Sequence, residues 1–167
     1  RQRRSLRRKQ HVDRIPRICY NQNEKTPSRM CRAIGKGTKM ENTEQAKAFF
    51  QSDIFATEVL GVEIVSAAPR HAVCRLPYGR RVSNAMGHVM GGALFSLCDL
   101  TFAAAANSAD ISAVTLSSDI HFLRPASAAS GTLVAEAVCI HDGGHTCVYR
   151  IGVTDESGQQ ICEMTGN

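Results

Sequence analysis

Residues 93–108, ALFSLCDLTFAAAANS, decide the fold. They contain neither Gly nor Pro and are rich in Ala and Leu, which predicts one long helix. Leu94, Leu97 and Leu100, together with Phe95, Cys98 and Phe102, cover much of its circumference. A helix that is apolar nearly all round is buried on most sides. Asp99 interrupts that surface at its middle. An ionised carboxylate in apolar surroundings is costly unless it is paired or hydrogen-bonded. Asp99 therefore either lies where the helix reaches solvent or is held in a cleft, as a general base or nucleophile.

On either side of this helix the pattern changes to that of strands. Residues 59–68 (VLGVEIVSAA) and 71–78 (HAVCRLPY) read as two strands joined by the turn signal Pro69-Arg70. Residues 79–92 are loop-like, with Gly79, Ser83, Asn84, Gly87, Gly91 and Gly92. After the helix, residues 112–123 (SAVTLSSDIHFL) are rich in β-formers and end at Arg124-Pro125. Residues 131–141, 145–154 and 159–165 read as a three-stranded meander, turning at Asp142-Gly143-Gly144 and at Glu156-Ser157-Gly158. Upstream, Asn42 or Thr43 caps a short helix with acids in its first turn. The order is helix, two strands, central helix, four strands. An α+β architecture fits it, with the long helix enclosed by a single antiparallel sheet.

The 167 residues suffice for one domain with a sizeable core, and 43% of them are hydrophobic. There is no Trp, so the core is expected to be built from Val, Ile, Leu and Ala. The net charge of +5 hides two unlike parts. Residues 1–39 hold thirteen Lys and Arg against Asp13 and Glu24, whereas residues 40–167 hold seven against thirteen acids. The leader reads as a disordered basic arm, as a transit peptide, or as sequence foreign to the domain. The domain is expected to span residues 40–167, beginning near Met40. Its acidic balance argues against nucleic acid as a partner. No run approaches the roughly 20 apolar residues of a membrane span, so no membrane association is expected. The seven cysteines are odd in number and none is spaced C-x-x-C, which argues against a disulfide framework and a structural zinc site. Small buried thiols in a reducing cytoplasm are the expectation.

Several residues could carry chemistry. Gly91-Gly92 stands ahead of the helix, whose first amides lack internal partners and carry the positive end of the macrodipole. Glycine lets a carbonyl approach those amides, so the pair reads either as a tight turn or as an oxyanion hole. Asn84, on the same loop, could hydrogen-bond a water or carbonyl, although such a residue often only shapes a turn. Thr115 and Ser117, read on the strand after the helix, could orient a water near Asp99. His88 lies in the loop, and Arg80, Arg81 and Arg124 could meet a phosphate. His141 and His145 flank a hairpin turn and are too few for a metal site. Neither a nucleotide-binding glycine motif nor a zinc-protease or serine-hydrolase motif is present. Gly91 and Asp99 are eight positions apart, or roughly 12 Å of helix rise. If both act on one carbonyl, Asp99 must come from a second subunit.

The stretch from Asn84 to Ala137 resembles the hotdog-fold acyl-CoA thioesterases of the phenylacetic-acid-degradation (PaaI-like) group. The resemblance rests on Asn84, Gly91-Gly92, Leu97-x-Asp99, the Ala-rich helix with Asn107, the FLRPA run at 122–126 and Gly131-x-Leu133-x-Ala135. It runs from about Val59 to the C-terminus and implies a homodimer, often a homotetramer of two dimers, that hydrolyses acyl-CoA without metal or cofactor. It implies that Asp99 is the catalytic carboxylate, the Gly91 amide the oxyanion donor and Asn84 the residue positioning thioester or water. Thr115 matches a position that holds a water-orienting Ser in some relatives. Gly92, His88, Met90, Ser117 and Arg124 are expected around the substrate. Met90 stands where the group commonly has His, and His88 could take that role. A non-catalytic acyl-CoA-binding or regulatory module is the alternative, for which Met90 is the main argument. A dehydratase is a third reading, although no His lies on the central helix.

Overall fold

The computed structural model describes residues 42–108 and 113–167. Residues 1–39, the proposed start at Met40, and the first residue of the predicted strand at 112–123 lie outside the described residues. Helix α1 (Thr43–Phe50) is capped by Asn42, whose side chain accepts the Gln45 amide at 3.0 Å, and Glu44 stands in its first turn. Strands β1 (Glu63–Ala68) and β2 (His71–Pro77) form a hairpin that turns at Arg70, with φ 66°. Helix α2 (Gly91–Ala106) follows, then β3 (Ser118–Phe122), β4 (Thr132–Asp142), β5 (Cys147–Thr154) and β6 (Gln160–Gly166). The six strands make one antiparallel sheet in the order β1-β2-β4-β5-β6-β3.

Three boundaries differ from the sequence expectations. The first predicted strand starts at Glu63, because Phe55–Leu60 forms a π-helical turn. Gly61 closes that turn in the left-handed region, at φ 81°. The central helix starts two residues early, at Gly91, because the Met90 amide is held by the Val82 carbonyl at 2.8 Å and the chain turns there. The strand expected over 112–123 is confined to Ser118–Phe122. Before it, Asn107 ties down Ala113 by giving its side-chain N–H to the Ala113 carbonyl (3.3 Å) and taking the Ala113 amide (2.8 Å). Thr115 and Ser117 thus lie in an irregular segment rather than on a strand.

Alternation places one face of the sheet against α2. Ala72, Cys74 and Leu76 of β2, Leu133, Ala135 and Ala137 of β4, and Tyr149, Ile151 and Val153 of β5 are all buried. From the helix, Leu94, Leu97, Cys98, Thr101, Phe102 and Ala105 meet them. Thr101 is fully buried and satisfies its hydroxyl on the Leu97 carbonyl, at 2.6 Å. The Phe102 and Tyr149 rings stand 5.1 Å apart. Phe102 also presses on β6, where a Cβ at Gly166 would lie 2.7 Å from its ring.

Gly166→Ala should therefore destabilise the fold by about 1–3 kcal/mol, the usual cost of overpacking a core. Urea unfolding checks this, and a midpoint unchanged from wild type would show that Phe102 has room to move.

Candidate active site

The sheet leaves one stripe of α2 uncovered. Gly92, Phe95, Ser96, Asp99, Ala103 and Ala106 follow one another at helical spacing and none is buried. Asp99 stands in the middle of that stripe and borders a cleft of about 340 Å³. The other wall is the segment Asp53–Ala56, which connects α1 to the π-helical turn. Ile54, Phe55, Leu100 and Ala103 give the cleft its apolar surface, and Asp53, Ser96 and Asp99 its polar one.

The proton affinity of Asp99 is raised above the ordinary aspartate value. Burial is the largest cause, the Thr115 hydroxyl opposes it by hydrogen-bonding to the carboxylate, and the charge of Asp53 raises it further. A carboxylate so placed is a better base than one in water.

A second group of residues gathers at the start of α2. Met90 adopts extended backbone at φ −66°, ψ 139° and gives no side-chain cap. The Gly91 and Gly92 amides make no backbone hydrogen bond among the described residues. A Cβ at Gly91 would lie 3.3 Å from the Phe122 ring, and one at Gly92 would lie 3.0 Å from the Met90 methyl. The loop ahead is braced on several sides. Val89 gives its amide to Ala126 (2.8 Å), and the Tyr78 hydroxyl donates to the Gly87 carbonyl (3.0 Å). Asn84 spends its side-chain oxygen on the amides of Met86 (2.9 Å) and His88 (3.1 Å). Its side-chain N–H₂ is what remains for a ligand. The Nδ1 of His88 is enclosed without a hydrogen-bond partner among the described residues.

The residues singled out in the sequence thus fall into three places. Asp99 and Thr115 are brought together at mid-helix. Asn84, His88, Met90, Gly91 and Gly92 cluster at the helix start. Ser117 and Arg124 join neither group. The amide and carbonyl of Ser117 pair with the Asn167 backbone, and Arg124 donates to the Gln160 carbonyl at 3.2 Å. Asp53 escaped the sequence reading because a single acid after a short helix looks like an ordinary turn residue. Phe122, the ring over Gly91, figures in the sequence only within the 112–123 strand and the FLRPA run, neither of which points to the helix start.

Comparison with known proteins agrees on one family. Residues 86–162 match the thioesterase superfamily model. The chain is similar to acyl-coenzyme A thioesterase PaaI of Escherichia coli K12, with 34% identity over 123 residues, 74% of this chain and 86% of that protein. It is also similar to 1,4-dihydroxy-2-naphthoyl-CoA hydrolase of Listeria monocytogenes, with 31% identity over 63% of this chain and 86% of that one. Among solved structures, the E. coli PaaI protein from the phenylacetic acid degradation operon superposes with a TM-score of 0.68 at 31% identity, over 74% of this chain and 89% of that chain. A Streptococcus mutans UA159 protein bound to acetyl-CoA gives 0.59 at 30% identity, over 63% and 84%.

Removing the hydroxyl that steadies the Asp99 carboxylate should raise the pH at which that group titrates. Carboxyl ¹³C NMR of wild type and Thr115→Val reads this directly, and an unmoved midpoint would mean that the hydroxyl makes no such bond.

Proposed function

The chain belongs to the thioesterase superfamily, in its PaaI-like group, and from that membership we propose how its own residues hydrolyse an acyl-CoA thioester. Its fold is the hotdog fold, and it is a thioester hydrolase. The observation that carries the reading of the site is Asp99, a half-exposed carboxylate with raised proton affinity beside a partly apolar cleft.

Asp99 takes a proton from a water whose oxygen attacks the thioester carbonyl carbon. The Thr115 hydroxyl orients the carboxylate. Negative charge gathers on the carbonyl oxygen, where the Gly91 amide and the helix N-terminus stabilise it. The Asn84 side-chain N–H₂ adds a second donor. As the intermediate collapses, the C–S bond breaks, and the CoA thiolate takes the proton that Asp99 holds. The products are the carboxylic acid and free CoA.

This requires two copies of the chain. Within one α2, Gly91 and Asp99 are separated by roughly 12 Å of rise, too far for one carbonyl to reach both. The exposed surface supports pairing. β3 forms one edge of the sheet, and Val114, Leu116, Phe122 and Leu123 beside it are all more than half exposed. Phe95 is exposed on the open stripe of α2. A partner laid along β3 and this stripe would bury these groups and carry its own Gly91 toward Asp99. We place Met90, His88 and Gly92 around the thioester and Ser117 and Arg124 toward the CoA moiety. No helix among the described residues is long and apolar enough to cross a membrane. We assign the reaction to residues 40–167, so a chain lacking residues 1–39 should keep full turnover, and a large loss would place the leader in the enzyme.

Asp99→Asn and Asp99→Ala should each lose about 10²–10⁴-fold in kcat for free-thiol release, while self-association by light scattering is unchanged. Gly91→Pro deletes the proposed donor at a first helical position, where proline is favoured, and requires the exposed Phe122 ring to yield by a few tenths of an ångström. Met90 before it already has the extended backbone that a pre-proline residue needs. Its kcat should fall about 10²–10³-fold. Normal turnover in the Asp99 variants would overturn the site.

A further inference from the structure

Two carboxylates face the cleft beside α2, and the mechanism uses only one of them. Asp53 and Asp99 line opposite walls, and among the described residues of one chain no Lys, Arg or His lines the space between. Asp53 is exposed, but its main chain is held in place. Its amide donates to the Phe50 carbonyl at 3.0 Å, and its own carbonyl accepts both the amide and the hydroxyl of Thr57, each at 3.0 Å. The main chain is thereby pinned between α1 and the π-helical turn. Among the described residues no cation or hydrogen-bond donor pairs with its carboxylate, so its charge is left to act on the cleft. Its charge also adds, as the least of three causes, to the shift in proton affinity of Asp99.

The volume, about 340 Å³, is at the small end of the range that small-molecule sites occupy. Ile54, Phe55, Leu100 and Ala103 offer apolar contact, and beside the two acids the polar side chain of the lining is Ser96, whose hydroxyl proton is given to the Gly92 carbonyl. An acyl group ending in a carboxylate would enter past the exposed Asp53 charge and toward the partly buried Asp99, two like charges that oppose it. An uncharged acyl group meets no such barrier, and apolar burial favours it.

We propose that Asp53 is a specificity-determining residue that restricts the acyl cleft to uncharged acyl groups and turns away monothioesters of dicarboxylic acids. The proposal rests on the reading that this cleft receives the acyl group during thioester hydrolysis. Selection against the wrong ligand by a like charge, rather than by a tighter fit to the right one, is an economical route to discrimination.

The test compares hexanoyl-CoA with adipoyl-CoA, its six-carbon counterpart ending in a carboxylate, on wild type, Asp53→Asn and Asp53→Glu. Wild type should prefer hexanoyl-CoA by at least about tenfold in kcat/KM. Asp53→Asn should narrow that ratio by about fivefold or more, chiefly through a lower KM for adipoyl-CoA. Asp53→Glu, which keeps the charge, should keep the ratio. A ratio that is the same in wild type and Asp53→Asn overturns the proposal, as does a wild type with no preference. If wild type hydrolyses neither thioester, the functional reading fails separately. Calorimetric binding of the thioethers S-hexyl-CoA and S-(5-carboxypentyl)-CoA to the same three proteins then decides the role of Asp53 by the same ratio.

Discussion

The structure depends on the way α2 is clamped to the sheet. The strands present small side chains to it, Ala72 and Cys74 from β2 and Ala135 and Ala137 from β4, all fully buried. Small residues let a helix sit close to a sheet, and close packing then fixes its rotation. Leu94, Leu97, Cys98, Thr101 and Ala105 are committed to that contact. The stripe from Gly92 through Asp99 to Ala106 is therefore turned away from the sheet. Asp99 is half withdrawn from water without being sealed in the core. Full burial would leave it without access to substrate, and full exposure would give it the weak basicity of a surface aspartate.

The same clamp determines what the helix start can do. The braced loop from Ser83 to Met90 delivers the chain to Gly91 in extended form and then releases it into the helix. That leaves the first amides without internal partners and pointing outward at the positive end of the dipole. The price of a long rigid helix is distance, because its amide end and its carboxylate cannot converge on one carbonyl. In the proposed mechanism, pairing of two chains would resolve this, and burial of the exposed apolar residues at and beside β3 would drive it.

Much of this was legible in the sequence because it depends on local rules. An Ala- and Leu-rich run free of Gly and Pro reads as a buried helix, and the acid at its centre is the residue on which the proposed site is built. The strand count and the glycine turns at Gly144 and Gly158, with φ 80° and 81°, follow from short-range signals. Boundaries set by tertiary contacts were not legible. The run at 59–62 has strand-like composition, but the π-helical turn closed by Gly61 takes it up to Leu60. Thr115 reaches Asp99 from an irregular segment held by Asn107, a side-chain link between residues six apart that no periodicity reveals. Asp53 was invisible because its position depends on how α1 is laid against the sheet rather than on its neighbours in sequence.

The central claim is that each site is built from two chains, and complementation tests it most directly. Asp99→Asn and Gly91→Pro chains are purified separately, unfolded and refolded together, and the rate of free-thiol release is compared with that of each variant alone. Random pairing makes half of the dimers mixed, and each mixed dimer holds one intact site of two, so about a quarter of wild-type activity should return. Activity that stays at the level of the separate variants, in a sample shown to contain mixed dimers, would contradict a shared site.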